Sequence, residues 1–110
     1  MQVLIQPSSS KTKKYKAVFY DDSGKKIKTT QFGAKGYSDF TINKDPKRKQ
    51  RYLDRHRDRE DWSDYMSAGS LSRYILWNRP TIKASITDYK KRFNLKTYTF
   101  SSITLSCNKT

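Results

Sequence analysis

The arginines of the stretch Lys47–Arg59, KRKQRYLDRHRDR, are spaced to hold a row of anions. A helix turns about 100° per residue, so Arg48, Arg51, Arg55 and Arg59 fall on one narrow stripe, with Tyr52 at its border. Guanidinium forks in a row match phosphates or carboxylates, because each fork offers paired N–H donors to a planar or trigonal anion. The arrangement has a cost: Arg51–Arg55 and Arg55–Arg59 are repulsive i,i+4 pairs. A helix that only needs solvation gains nothing from that. The bland alternative is a solvated face braced by Asp54, Asp58, Glu60 and Asp61. Lys47 on the same helix, with Lys35, Lys90 and Lys91 elsewhere in the chain, completes the candidate polyanion-binding set.

Other residues with chemical potential read more simply. His56 is the lone histidine and shares the inner face with Tyr52, as a hydrogen-bonded core histidine does. Glu60, Asp61 and Asp64 resemble a carboxylate cluster, but neighbours on a helix end point apart, so no Mg²⁺ site is expected. Gly33-x-x-Gly36 with Lys35 has the form of a loop that clamps nucleic-acid backbone, but a lone G-x-x-G is a weak signal and reads first as a turn leaving the hairpin. Tyr15, Tyr20 and Tyr37, interleaved with lysines, are the candidates for stacking on bases. Trp62, Trp77, Tyr74 and Phe93 read as core. No nucleophile, base and orienting group are spaced to work together. The chain is expected to be no enzyme and to need no cofactor, metal or small-molecule substrate.

The whole composition carries the same sign as the stripe. The 110 residues contain 24 Lys+Arg against 10 Asp+Glu, a net charge of +14 and a pI near 10.0. Such a field attracts nucleic acid, anionic membrane or acidic protein surfaces. Charged residues at 31% and a mean hydropathy of −1.00 approach the composition of disordered chains. An aromatic content of 14% argues against disorder. No apolar run approaches the ~20 residues of a membrane span. Val3-Leu4-Ile5 is too short for the apolar region of a signal peptide. The single cysteine, Cys107, excludes an internal disulfide and a cysteine-based zinc site, and it reads as incidental.

The elements that must position these residues are legible in outline. Residues 1–14, with Pro7 and Ser8-Ser9-Ser10, read as a basic N-terminal arm. In residues 15–32, Tyr15, Ala17 and Phe19 alternate with Lys16, Val18 and Tyr20, and Asp21-Asp22-Ser23-Gly24 is turn chemistry, so a β-hairpin is expected. Asp45-Pro46 opens the arginine helix as an N-cap followed by proline. A second helix starts near Ser67 and ends at Asn78-Arg79-Pro80. A third follows Thr81, with Ile82, Ile86, Tyr89 and Phe93 along one face and Asn94 as its cap. Residues 96–110 are rich in Ser and Thr and suit one more strand or an extended arm. The expectation is a small single α+β domain over residues 15–95, with an N-terminal hairpin, about three short helices, and a C-terminal strand or arm.

A resemblance sharpens this reading. The run from Phe32 to Leu95 contains Phe32-Gly33, Gly36-x-x-Asp39, Asp45-Pro46, Arg55-His56, Glu60-x-Trp62, Gly69-Ser70-Leu71-Ser72, Ile75-Leu76-Trp77 and Arg92-Phe93. It resembles a family of small basic proteins of unknown function from nucleocytoplasmic large DNA viruses, of the chlorella-virus and giant-virus type. With the hairpin the resemblance covers about four fifths of the chain. It implies a viral protein carried in the particle and brings no catalytic residue with it. The expectation that follows is a structural virion component, a minor capsid protein contacting acidic neighbours, located in the virion and in host cytoplasm or nucleus during assembly. The alternative is a nucleic-acid-binding protein that contacts mainly phosphates through the arginine helix. The partners are accordingly capsid proteins or viral DNA.

Overall fold

The computed structural model describes residues 1–98, and their fold is α+β as expected. Four strands, β1 (Gln2–Pro7), β2 (Lys13–Tyr20), β3 (Lys26–Ala34) and β4 (Lys96–Thr97), form one sheet in the order β3-β2-β1-β4. The helices lie between β3 and β4 in sequence. They are α1 (Phe40–Asn43), α2 (Pro46–His56), α3 (Ala68–Leu71), which runs on as a π-helical turn over Ser72–Leu76, and α4 (Ile82–Arg92).

The hairpin forms where the alternation places it. β2 and β3 pair antiparallel, with Tyr15 opposite Phe32 and Ala17 opposite Thr30. The turn is built by Asp21, whose Oδ1 accepts from the backbone N–H of Ser23 at 3.0 Å and of Lys25 at 2.9 Å. Gly24, at φ 88°, takes the left-handed position that a side chain would resist.

The expected N-terminal arm is instead a sheet strand. β1 pairs antiparallel with β2 over its whole length, setting Val3 opposite Phe19, Leu4 opposite Val18 and Ile5 opposite Ala17. The reason is apolar area. Val3, at 2% exposure, enters the main core on one sheet face, while Leu4 packs on Val18 and Tyr20 on the other. Ser8, Ser9, Ser10 and Lys11, which suggested an arm, fall in the connection from β1 to β2, while Lys13 and Lys14 open β2. The compact unit therefore begins at residue 2, not 15. On the far side of β1, the expected C-terminal strand starts at Lys96–Thr97, paired in parallel with Gln2 and Val3. Tyr98 follows and stacks on Tyr20 at 3.5 Å between ring centres. Phe100, Ile103, Leu105 and Cys107 lie outside the described residues.

Caps set the helix starts. Asp39, Asp45, Ser67 and Thr81 each accept a backbone N–H from the first turn of α1, α2, α3 and α4. Asn94, at φ 55°, ends the last helix as its residue type suggests. α1 was not anticipated; at four residues it is too short to carry a periodic signal. Within α4 the innermost positions are Ser85 and Tyr89, both fully buried, with Ile82, Ile86 and Phe93 at the border of the core. Ser85 Oγ accepts the backbone N–H of Arg79 at 2.9 Å, and Tyr89 donates its hydroxyl to the Tyr65 carbonyl at 2.5 Å. These two bonds draw the helix inward on that side. No helix among the described residues is long and apolar enough to cross a membrane.

Because β1 joins β2 to β4 and holds Val3 against Phe19, Val3→Asp is expected to remove cooperative thermal unfolding. The buried carboxylate costs several kcal/mol against a marginal total stability. Circular dichroism melting of the variant checks this, and an unchanged melting temperature contradicts the assignment of β1 to the core sheet.

Candidate functional site

The inward face of α2 repeats at helical spacing: Arg48, Arg51, Tyr52, Arg55 and His56 all line one cleft of about 640 Å³. Across from them are residues from the end of the hairpin and the turn after it, Gly33, Ala34, Tyr37, Ser38 and Asp39, with Lys14 from β2. Ser72, Leu76 and Trp77 complete the lining.

A three-ring stack supports the helical side. Tyr52 lies between Trp77, 4.6 Å away and nearly parallel at 8°, and His56, 4.2 Å away. The stack fixes the roll of α2 about its axis and so aims the arginines. His56 is half-buried on the cleft wall and is not the core histidine expected. Its Nδ1 lies 3.2 Å from Glu60, which also accepts the Trp62 indole N–H at 2.9 Å. Trp77, read from sequence as core, is both core and cleft lining.

The facing side is held by a buried ion pair. Lys14 Nζ lies 2.7 Å from Asp39, with side-chain exposures of 14% and 3%. Asp39 also accepts the Thr41 N–H at 2.9 Å, and Lys14 donates to the Tyr37 carbonyl at 2.5 Å. One ammonium thus ties β2 to the Tyr37 turn and to the start of α1. Gly33 permits the close approach. At φ 78°, a Cβ there would sit 2.8 Å from a Leu76 methyl and 3.2 Å from Lys14 Cβ. Neither Lys14 nor Asp39 was singled out by charge spacing; they are 25 residues apart in sequence.

The anticipated charge row is brought together in part. Arg48, Arg51 and Arg55 share the cleft wall. Arg59 does not, because α2 ends at His56 and Arg59 lies in the turn that follows, with its N–H on the His56 carbonyl at 3.0 Å. Lys47 is exposed on α2 outside the cleft. Lys35 reaches back to the Ser10 carbonyl at 2.6 Å and borders a separate hollow of about 270 Å³. Lys90 and Lys91 are in the last turn of α4, where Lys90 donates to Thr97 at 2.6 Å.

Three of the four acids that were to brace the arginine row are engaged elsewhere. Asp54 accepts from Gln50 at 2.9 Å and pairs with Arg57 at 3.7 Å. Glu60 serves His56 and Trp62, and Asp61 binds the backbone and hydroxyl of Ser63. Among the described residues no carboxylate lies within ion-pair distance of Arg48, Arg51 or Arg55. A second basic cluster is compensated by contrast. Burial pushes the Asp88 carboxyl up, but the Asn78 hydrogen bond and the Arg92 and Arg79 guanidinium groups outweigh it and hold it below its usual range.

One comparison with known protein families reaches part of the same region. Residues 3–56, just under half of the chain, match a family of unknown function, DUF5754. No curated protein and no solved structure matches. The matched segment runs from β1 to the end of α2. It contains every charged residue of the cleft, while Ser72, Leu76 and Trp77 lie beyond it.

Two outcomes test this geometry. Asp39→Asn leaves the Lys14 ammonium buried without its counter-charge and is expected to cost about 3–5 kcal/mol. Urea unfolding measures it, and a loss under 1 kcal/mol would show that the pair does not hold the wall. The second outcome concerns alkaline pH. Burial raises the pKa of Tyr52 and Tyr89 well above the ordinary 10.0, since it disfavours the phenolate. The unfolded chain ionises these groups near pH 10. Their contribution is complete below that pH and is lost as pH rises toward the folded values. Stability should fall by about 1.4 kcal/mol per pH unit for each group above pH 10, and less steeply in Tyr52→Phe. Equal slopes in the two proteins contradict the burial of the Tyr52 phenol.

Proposed function

We propose that this chain is a non-enzymatic nucleic-acid-binding protein that grips phosphates with Arg48, Arg51 and Arg55. One observation carries the reading: three guanidinium groups line one wall of a concave site, and among the described residues no carboxylate lies within ion-pair distance of them. Unpaired like charges at i,i+3 and i,i+4 raise the energy of the free protein, and an anionic ligand relieves that repulsion. From Arg48 to Arg55 the row spans about 10 Å of helix axis. A row of that length can meet more than one phosphate of a single backbone. The net charge of +14 supplies long-range attraction to the same ligand.

A second reading, a minor component of a large DNA virus particle, draws on the viral resemblance and on the outer edge of β3. Lys26, Ile27, Lys28 and Thr29 are all exposed there, and β3 has no strand on that side among the described residues. An edge of this kind can take a strand from a neighbouring subunit. The nucleic-acid reading leads because residues 2–7 of the expected N-terminal arm, and Lys96–Thr97 of the C-terminal one, are engaged in the protein's own sheet. The two readings are compatible in a protein packaged with a genome.

The test is a salt series. For a DNA oligonucleotide, log K falls with log salt by about 0.7–0.9 per phosphate contact. Arg51→Gln/Arg55→Gln should lower that slope by between one and two units, and weaken all base sequences alike, because phosphate contacts position without specifying. Lys90→Gln/Lys91→Gln should change it less. A slope unaltered by the arginine pair removes the cleft from the interface.

A further inference from the structure

We propose that the cleft selects single strands, with phosphates on the Arg48/Arg51/Arg55 row and one base stacked on Tyr37. The proposal rests on the phosphate reading above and adds the feature that separates single-stranded from duplex nucleic acid.

Tyr37 stands out among the tyrosines by what it lacks. The chain has eight tyrosines. Seven of them pack on another ring: Tyr15 on Phe32, Tyr20 and Tyr98 on each other, Tyr52 within the His56–Trp77 stack, and Tyr65, Tyr74 and Tyr89 on Phe93. Tyr37 has no ring partner among the described residues and is 73% exposed. Isolated exposed apolar residues are ordinary. The position of this one is not, because it lines the same cleft as the arginines.

Its backbone is also fixed. The Tyr37 carbonyl accepts from the buried Lys14 ammonium at 2.5 Å, and its N–H bonds to the Ala34 carbonyl at 3.3 Å. Gly36 just before it sits at φ 88°, a left-handed position that glycine adopts freely. The platform is therefore held from below while its ring stays free. Asp39, which lines the same cleft, is already neutralised by Lys14 and does not repel an anion.

Size and topology then choose the ligand. A cleft of about 640 Å³ falls within the ~300–1,000 Å³ range of sites that enclose small ligands or parts of larger ones. A duplex keeps its bases stacked inside and offers only a rail of phosphates. A single strand offers phosphates and free base faces together, which is the combination of a charged track and an aromatic platform.

Fluorescence anisotropy with a labelled oligothymidine and a duplex of equal length tests this on the full chain. Tyr37→Ala should weaken single-strand binding by about tenfold, within the range measured for stacked aromatics, and leave duplex binding nearly unchanged. Tyr37→Trp should restore single-strand affinity. Because Tyr37 is exposed, neither substitution threatens the fold. Equal losses for single strand and duplex, or no loss for either, overturn the stacking site. If Arg51→Gln/Arg55→Gln loses binding while Tyr37→Ala does not, the phosphate row stands and the single-strand proposal falls. If the arginine pair changes nothing, both readings fall.

Discussion

The Lys14–Asp39 ion pair is the contact on which the geometry of the cleft depends. It joins strand β2 to the turn that follows β3, and the same carboxylate caps α1. α1 leads within three residues to Pro46, the start of the arginine helix. The direction in which that helix leaves the sheet is thus tied to a charge pair buried at its root. Such a pair is a weak source of net stability, because desolvation offsets most of the attraction. Its value here is geometric: Lys14 also takes the Tyr37 carbonyl, so a single ammonium sets the wall that faces the arginines.

The second constraint is how ten acids are distributed among twenty-four Lys and Arg. Several stabilise backbone and never meet a surface cation. Asp21 and Asp61 bind the N–H and hydroxyl of the serines two residues on, and these bonds draw their carboxyls below the usual range. Asp45 caps α2, and Asp88 gathers Asn78, Arg79 and Arg92. Of the positive excess that remains, Arg48, Arg51 and Arg55 line the concavity. An exposed ion pair adds little to stability, so leaving the α2 arginines unpaired costs the fold little and keeps their donors available.

The sheet explains how so polar a chain folds. It buries both faces in part. Val3, Ala17, Phe19 and Phe32 meet the helices, and Val18, Tyr20, Leu4 and Tyr98 form a small cluster behind. With β1 between β2 and β4, every apolar residue of Val3-Leu4-Ile5 has a neighbour strand on each side or a core beneath it.

The sequence alone determined the features that depend on near neighbours. Alternation and Gly24 specified the hairpin, Asp45-Pro46 the start of the arginine helix, Ser67 and Thr81 the later starts, and Asn94 a helix end. The i,i+3 and i,i+4 spacing placed Arg48, Arg51 and Arg55 on one face with Tyr52. Tertiary structure decided what depends on distance along the chain. Val3-Leu4-Ile5 became a strand because β2 supplied an open edge and the core needed its area, a choice that no local pattern in a short apolar run can reveal. Lys14 and Asp39 met because the hairpin folds back over 25 residues, and opposite charges carry no mark of their partner. Arg59 left the row because α2 ends at His56, where Glu60 draws the histidine and Trp62 together. Tyr37 became the unpartnered ring only because the other seven tyrosines found theirs. Spacing could place arginines on a stripe. Packing decided that the stripe faces a cleft, which charges lie opposite it, and which aromatic stays free.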